Sequence, residues 1–126
     1  MATARDTTAA NIKPLEGAIT RRFTAGSAIA AGELVSMSSD GYIDPSDCTS
    51  AKNPVLGVAL QAAAAAGPKI DVVIYGPVVC LTGATPGGVQ YNSTTAGEPL
   101  ETTAGNQTIA GLAESATVLL VRPALA

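Results

Sequence analysis

The chain has 126 residues, of which 47% are hydrophobic, 13% charged and only 3% aromatic, and its formal net charge is −3. That length fits one domain. The acidic balance speaks against general nucleic-acid binding, which needs a basic surface to neutralise phosphates, and no stretch is long and apolar enough to read as a membrane-spanning helix.

The first eleven residues are polar and Thr/Ala-rich, without the apolar run of a signal peptide, so synthesis in the cytoplasm is expected. Residues 1–25 carry Arg5, Lys13, Arg21 and Arg22 against Asp6 and Glu16, a net of +2; the remainder carries Lys52, Lys69 and Arg122 against eight acids, a net of −5. A basic segment on an acidic body either touches something negative or is a solvated tail. Ile12, Leu15 and Ile19 could share a helical face, but Pro14 and Gly17 interrupt it. Residues 1–25 therefore read as an extended arm, and 26–126 as the folded body.

From Gly26 on, β signals dominate. Residues 33–37 (ELVSM) form a short strand that ends in the turn cluster 38–41 (SSDG). Tyr42 and Ile43 start another, stopped by Asp44-Pro45. A polar loop over 45–54 leads to the strand 55–60. The five alanines at 62–66 are too few to repay helix nucleation before Gly67-Pro68, and read as a loop or one helical turn. Residues 70–75 (IDVVIY) are the clearest strand, β-branched and bounded by Gly67-Pro68 and Gly76-Pro77. Further apolar runs follow at 78–81, 89–91, 108–109 and 117–121.

A weak internal repeat organises these runs. In each half a glycine-bounded turn leads to a short strand, a polar loop, a Gly-centred strand (Val55–Ala59, then Ile109–Ala113) and a long apolar strand. The expected fold is all-β: a small β-barrel or β-tulip-like body of two similar β-units with an extended N-terminal arm. The aromatic-poor composition adds that burial is shallow. Small side chains remove little area each, at about 25 cal/mol per Å², so packing against further subunits or a large partner would add stability.

The chain has no histidine, which removes the commonest general base, the Ser-His-Asp and Cys-His arrangements and most zinc sites. Residues 83–88 (GATPGG) are glycine-rich but lack the Lys-Ser/Thr of a phosphate-binding loop. Asp40, Asp44 and Asp47 lack an EF-hand frame and fit turn roles. Asp71 reads as a solvent-face residue or a partner of a neighbour such as Lys69. Cys48 and Cys80 read as two reduced thiols, with a disulfide left open. No cofactor, metal or small-molecule substrate is expected. An enzyme would need a Ser-Lys arrangement using Lys52 or Lys69, both of which read more simply as loop charges.

In layout, residues 26–124 resemble the tailed-phage capsid decoration, or cement, proteins. The resemblance is carried by residues 32–35 (GELV), 41–43 (GYI), 55–59 (VLGVA), 70–76 (IDVVIYG), 109–113 (IAGLA) and 117–122 (TVLLVR). It implies a non-enzymatic structural virion protein, a homotrimer, that binds the major capsid protein on the outer surface of the assembled capsid and stabilises it. Members of that family often engage the shell through an N-terminal arm. By position, Ile12, Leu15 and Phe23 would be apolar anchors, and Lys13, Arg21 and Arg22 would pair with acids of the capsid protein. For Phe23, a place in the barrel core is an equal reading. The alternative function is another virion component, such as a head-fibre base or a displayed carbohydrate-binding module offering Tyr42, Tyr75 or Tyr91.

Overall fold

The computed structural model describes residues 3–49, 53–101 and 107–123. It is all-β, with a curled antiparallel sheet that gives a small barrel-like body. The strands are β1 (Ala4–Arg5), β2 (Lys13–Pro14), β3 (Ile19–Thr24), β4 (Leu34–Met37), β5 (Ile43–Pro45), β6 (Gly57–Ala59) and β7 (Lys69–Val79). They continue with β8 (Leu81–Thr82), β9 (Val89–Asn92), β10 (Pro99–Leu100), β11 (Ile109–Ala113) and β12 (Val118–Val121). A 3-10 turn spans Ala9–Asn11.

The two similar units are visible in the strand order and in the register. Neighbouring strands run β5-β4-β6-β7 in the first unit and β10-β9-β11-β12 in the second, all antiparallel. In the first, Val35 opposes Gly57, and Val58 opposes both Leu34 and Val73. In the second, Gln90 opposes Gly111, and Leu112 opposes both Val89 and Leu120. The first unit curls until Ala25, just past the end of β3, bridges Ile43 of β5.

β7 joins the units. Gly76-Pro77, which reads from sequence as the end of a strand, lies inside one that runs unbroken from Lys69 to Val79. The first part of β7 pairs with β3 and β6, the second with β2 and β12. Gly76 makes the handover possible. Its φ is +103°, and a Cβ there would sit 2.7 Å from the Cα of Ala18 in the turn crossing over it. Pro77 is tolerated for a local reason. It cannot donate to Leu15 opposite, but Leu15 N–H donates to its carbonyl and the Leu15 carbonyl accepts from Ala18 instead.

Other differences are local. Residues 1–25, expected to be an extended arm beside the folded body, carry β1, the 3-10 turn, β2 and β3, all laid along the body. The alanine run is a loop, held where Ala63 bridges Ile29. Asp44-Pro45 belongs to β5 and does not stop it.

Two apolar clusters hold the body. One gathers Ala25, Ile29, Val35, Ile43, Ala59, Ala63, Ile70 and Val72 inside the first unit. The larger lies between the units, with Leu34, Val58 and Val73 from the first meeting Ala110, Ala113, Leu119 and Val121 from the second. Strands β4, β6 and β7 thus bury both faces, which is why they read as near-continuous apolar runs. Cys80 lies in the larger cluster as a free thiol, and burial pushes it up to about 12, so it is inert at neutral pH. Cys48 is a separate, buried free thiol.

The Gly-centred strands are explained by close approach. A Cβ at Gly57 would collide with the Val73 carbonyl, and one at Gly111 with the Leu120 carbonyl, the same contact in the two units. Loops at one end are tied by a buried polar hub. The Asn53 carbonyl accepts from Ser36 Oγ, Ser46 Oγ, Asn92 Nδ2 and Thr108 Oγ1, while Asn92 Oδ1 accepts from Thr108 N–H at 2.8 Å.

Two outcomes follow. Gly57→Ala and Gly111→Ala should each lower stability by about 3 kcal/mol, because the clash is with main chain that cannot rotate away; urea unfolding of each variant measures it. Asn92→Ala should cost about 2 kcal/mol by stranding the Thr108 N–H. In the same assay, a midpoint equal to that of the unaltered chain would show that the hub is idle.

Candidate functional site

The residues expected to meet a partner separate into three environments. Ile12 is 8% exposed and belongs to the core between the units, its Cδ1 lying 2.8 Å from where a Cβ on Gly32 would be. In this fold its side chain faces inward. Leu15 is half-buried in the turn that covers Gly76. Lys13 is exposed on β2, opposite Val79.

Arg21, Arg22 and Phe23 lie on β3, opposite Val72, Asp71 and Ile70. Lys13 and Arg21 therefore stand beside β7 at positions seven residues apart, roughly 23 Å at strand rise. They form an extended basic border and not one cluster. Among the described residues β3 has β7 as its only strand partner, and its first four residues are exposed. Such an edge offers main-chain donors and acceptors, and its two arginines are also what keeps an edge from pairing indiscriminately.

The side chains of β3 are partly engaged. Arg22 Nε donates to Asp71 Oδ1 at 3.2 Å, and Gln61 Nε2 donates to Asp71 Oδ2. Asp71 thus lies on the solvent-facing side, as one of its two sequence readings had it, and pairs across the strands with Arg22. An exposed pair of this kind is worth little to stability and exchanges easily for another carboxylate. Arg21 stacks its guanidinium 5.7 Å from the Phe23 ring. Phe23 is half-buried against the core of the first unit, the place one of its two sequence readings gave it, and Arg21 lies over its ring.

The start of the chain is anchored by a second charged group. Arg5 Nε donates to Glu98 Oε2 at 2.7 Å and its Nη1 to the Ala31 carbonyl, tying β1 to both units. Glu33 lies in the same field and accepts from Ala30 N–H at 2.8 Å. Burial, and secondarily Glu98, raise its carboxyl above the usual value, against the opposing pull of the Ala30 hydrogen bond and Arg5. The three aspartates make local hydrogen bonds: Asp40 accepts from Tyr42 N–H, Asp44 on β5 from Ser38 Oγ, and Asp47 from Thr49 N–H. Lys52 lies outside the described residues; Lys69 is exposed at the start of β7.

Sequence reading missed one surface. Met37, Pro54, Leu56, Ile74 and Tyr75 line an apolar groove of about 500 Å³ that ends at Pro123. Pro123 also closes a second groove of about 360 Å³, formed by Val89, Ile109, Leu112 and Arg122. No protein-family model matches the chain, and no curated protein is recognisably similar to it.

Glu33 gives a pH test. Its folded pKa is raised, so the native chain holds that proton more tightly than the unfolded one, and stability falls as pH rises through the window just above 4.5. Glu33→Gln removes this loss. Its stability relative to the unaltered chain should therefore rise between pH 4 and pH 7; a constant difference in urea midpoint across that range would contradict the assignment.

Proposed function

We propose that this chain is a structural virion protein that binds the outer surface of an assembled phage capsid and stabilises it. The observation that carries the reading is β3: an exposed edge strand bearing Arg21 and Arg22, held rigidly on the long strand β7 of a small β body whose layout resembles the decoration proteins. An exposed edge suits strand addition to a flat protein surface, in which main-chain hydrogen bonds supply affinity and side chains set register. Asp71 already shows the geometry in which Arg22 meets a carboxylate.

Stabilisation then needs no chemistry on the partner. A ligand that binds the assembled shell and not its free subunits favours assembly by RT ln(1 + [L]/Kd) at each site, multiplied over many symmetric copies. The weakly charged body suits close packing on such a surface.

The test is co-sedimentation with shells assembled from the major capsid protein of the same genome. Deleting residues 1–25 is the wrong variant, because Ile12 would leave the core and β3 would leave β7. Arg21→Glu with Arg22→Glu keeps the fold and reverses the border. It should weaken saturable binding at least tenfold, and the binding of the unaltered chain should fall with added salt. Binding that the double variant retains in full moves the contact off β3. Absence of binding by the unaltered chain, to both immature and expanded shells, overturns the function.

A further inference from the structure

The two guanidiniums of β3 are held in ways that leave most of their donors open. Arg22 uses Nε alone, on Asp71 Oδ1 at 3.2 Å, and among the described residues Asp71 is its one hydrogen-bond partner. Asp71 is itself fixed by Gln61, whose Nε2 donates to Asp71 Oδ2 at 3.2 Å and whose Oε1 accepts from the Asp71 N–H at 3.1 Å. Arg22 is thus steered while both of its Nη groups stay open, and such a fork is what grips a carboxylate through two parallel hydrogen bonds. Arg21 makes no ion pair among the described residues. It lies over the Phe23 ring, which orients the guanidinium and engages none of its N–H groups.

The main chain beside them is open as well. Ala25 N–H donates to the Pro68 carbonyl and Gly26 N–H to the Ile43 carbonyl, so these two neighbours face opposite sides of their segment. Carried back along β3, the same alternation directs the main-chain groups of Arg21 and Phe23 at β7 and those of Thr20 and Arg22 away from it. Among the described residues no strand pairs with that outer side of β3. The side chains alternate too: Arg21 and Phe23 stand on one face, Arg22 and Asp71 on the other.

We infer that the open edge of β3 binds an extended segment of another protein carrying two acidic residues in succession, one for Arg21 and the next for Arg22. The inference rests on β3 being the contact edge, as proposed above, and adds the chemistry of its partner. A strand laid on this edge places successive side chains on alternate faces, each about 5 Å from the β3 residue opposite. Adjacent acids then meet both arginines, whereas acids two positions apart fall on one face and meet only one. Charge complementarity also says whose segment it is. The chain has ten acids, no two of them adjacent, so a second copy has no such segment to offer. The arginines themselves oppose the pairing of one β3 edge with another, since like charges would then face each other.

The experiment is an NMR titration of the full, isotope-labelled chain with two end-capped peptides of equal composition and charge, Thr-Val-Glu-Glu-Val-Thr and Thr-Glu-Val-Glu-Val-Thr. The adjacent-acid peptide should bind about threefold tighter or more, the difference one exposed ion pair makes, and should shift the Thr20 and Arg22 amides most. Arg21→Gln and Arg22→Gln, both at exposed positions, should each abolish the difference between the peptides. Equal affinities for the unaltered chain, shifts centred away from β3, or no shift at millimolar peptide overturn the inference. Co-sedimentation with shells separates it from the proposed function. Shells that bind while the peptides do not differ keep the function and remove this partner chemistry; peptides that differ while shells do not bind keep the partner chemistry and remove the capsid.

Discussion

The structure depends on one strand being shared. β7 is the last strand of the first unit and the first neighbour of the second, and it changes partners at Gly76. Everything near that point follows from the absent side chain. The turn carrying Gly17 and Ala18 can cross directly over Gly76, and β2 and β3 can then run on either side of the crossing. The N-terminal residues are thereby drawn into the fold as strands. With Ile12 in the core and Arg5 bonded to Glu98, they are part of what holds the two units together.

A chain with so few aromatic residues has to obtain stability from fit. The two Gly-centred strands show how. At Gly57 and Gly111 a neighbouring carbonyl comes closer than any side chain would permit, so main chain packs on main chain and the small core residues around it fill the space. At one end of the body the same economy is polar. A single carbonyl, that of Asn53, collects donors from both units and fixes loops that have little apolar surface of their own. Such networks stabilise when every member is satisfied, and they specify one arrangement of the loops they join.

The surface divides accordingly. Its basic border is an edge strand with one exposed, exchangeable ion pair, Arg22 with Asp71. Its apolar path, from Tyr75 through Pro123 to Leu112, has no such pair. On the proposed reading the basic border seats the protein on a shell.

By itself the sequence determined the all-β class, most strand positions in the body and the repeat, because these are written in local alternation, in turn residues and in the spacing of two similar Gly-centred runs. It also determined that the basic charge lies in residues 1–25. Only the tertiary structure decided that those residues are strands of the body, since their pairing with β7 is non-local and a Pro or Gly in such a segment looks like an interruption when no partner strand is in view. It also decided that Ile12 faces inward, that Asp71 pairs with Arg22, and that Gly76-Pro77 continues a strand. Each of these depends on which chain segment lies alongside. The row of the second unit is the same case: Val89, Leu112 and Leu120 are as apolar as Leu34, Val58 and Val73, and only the fold shows that they stay partly exposed while the others are buried.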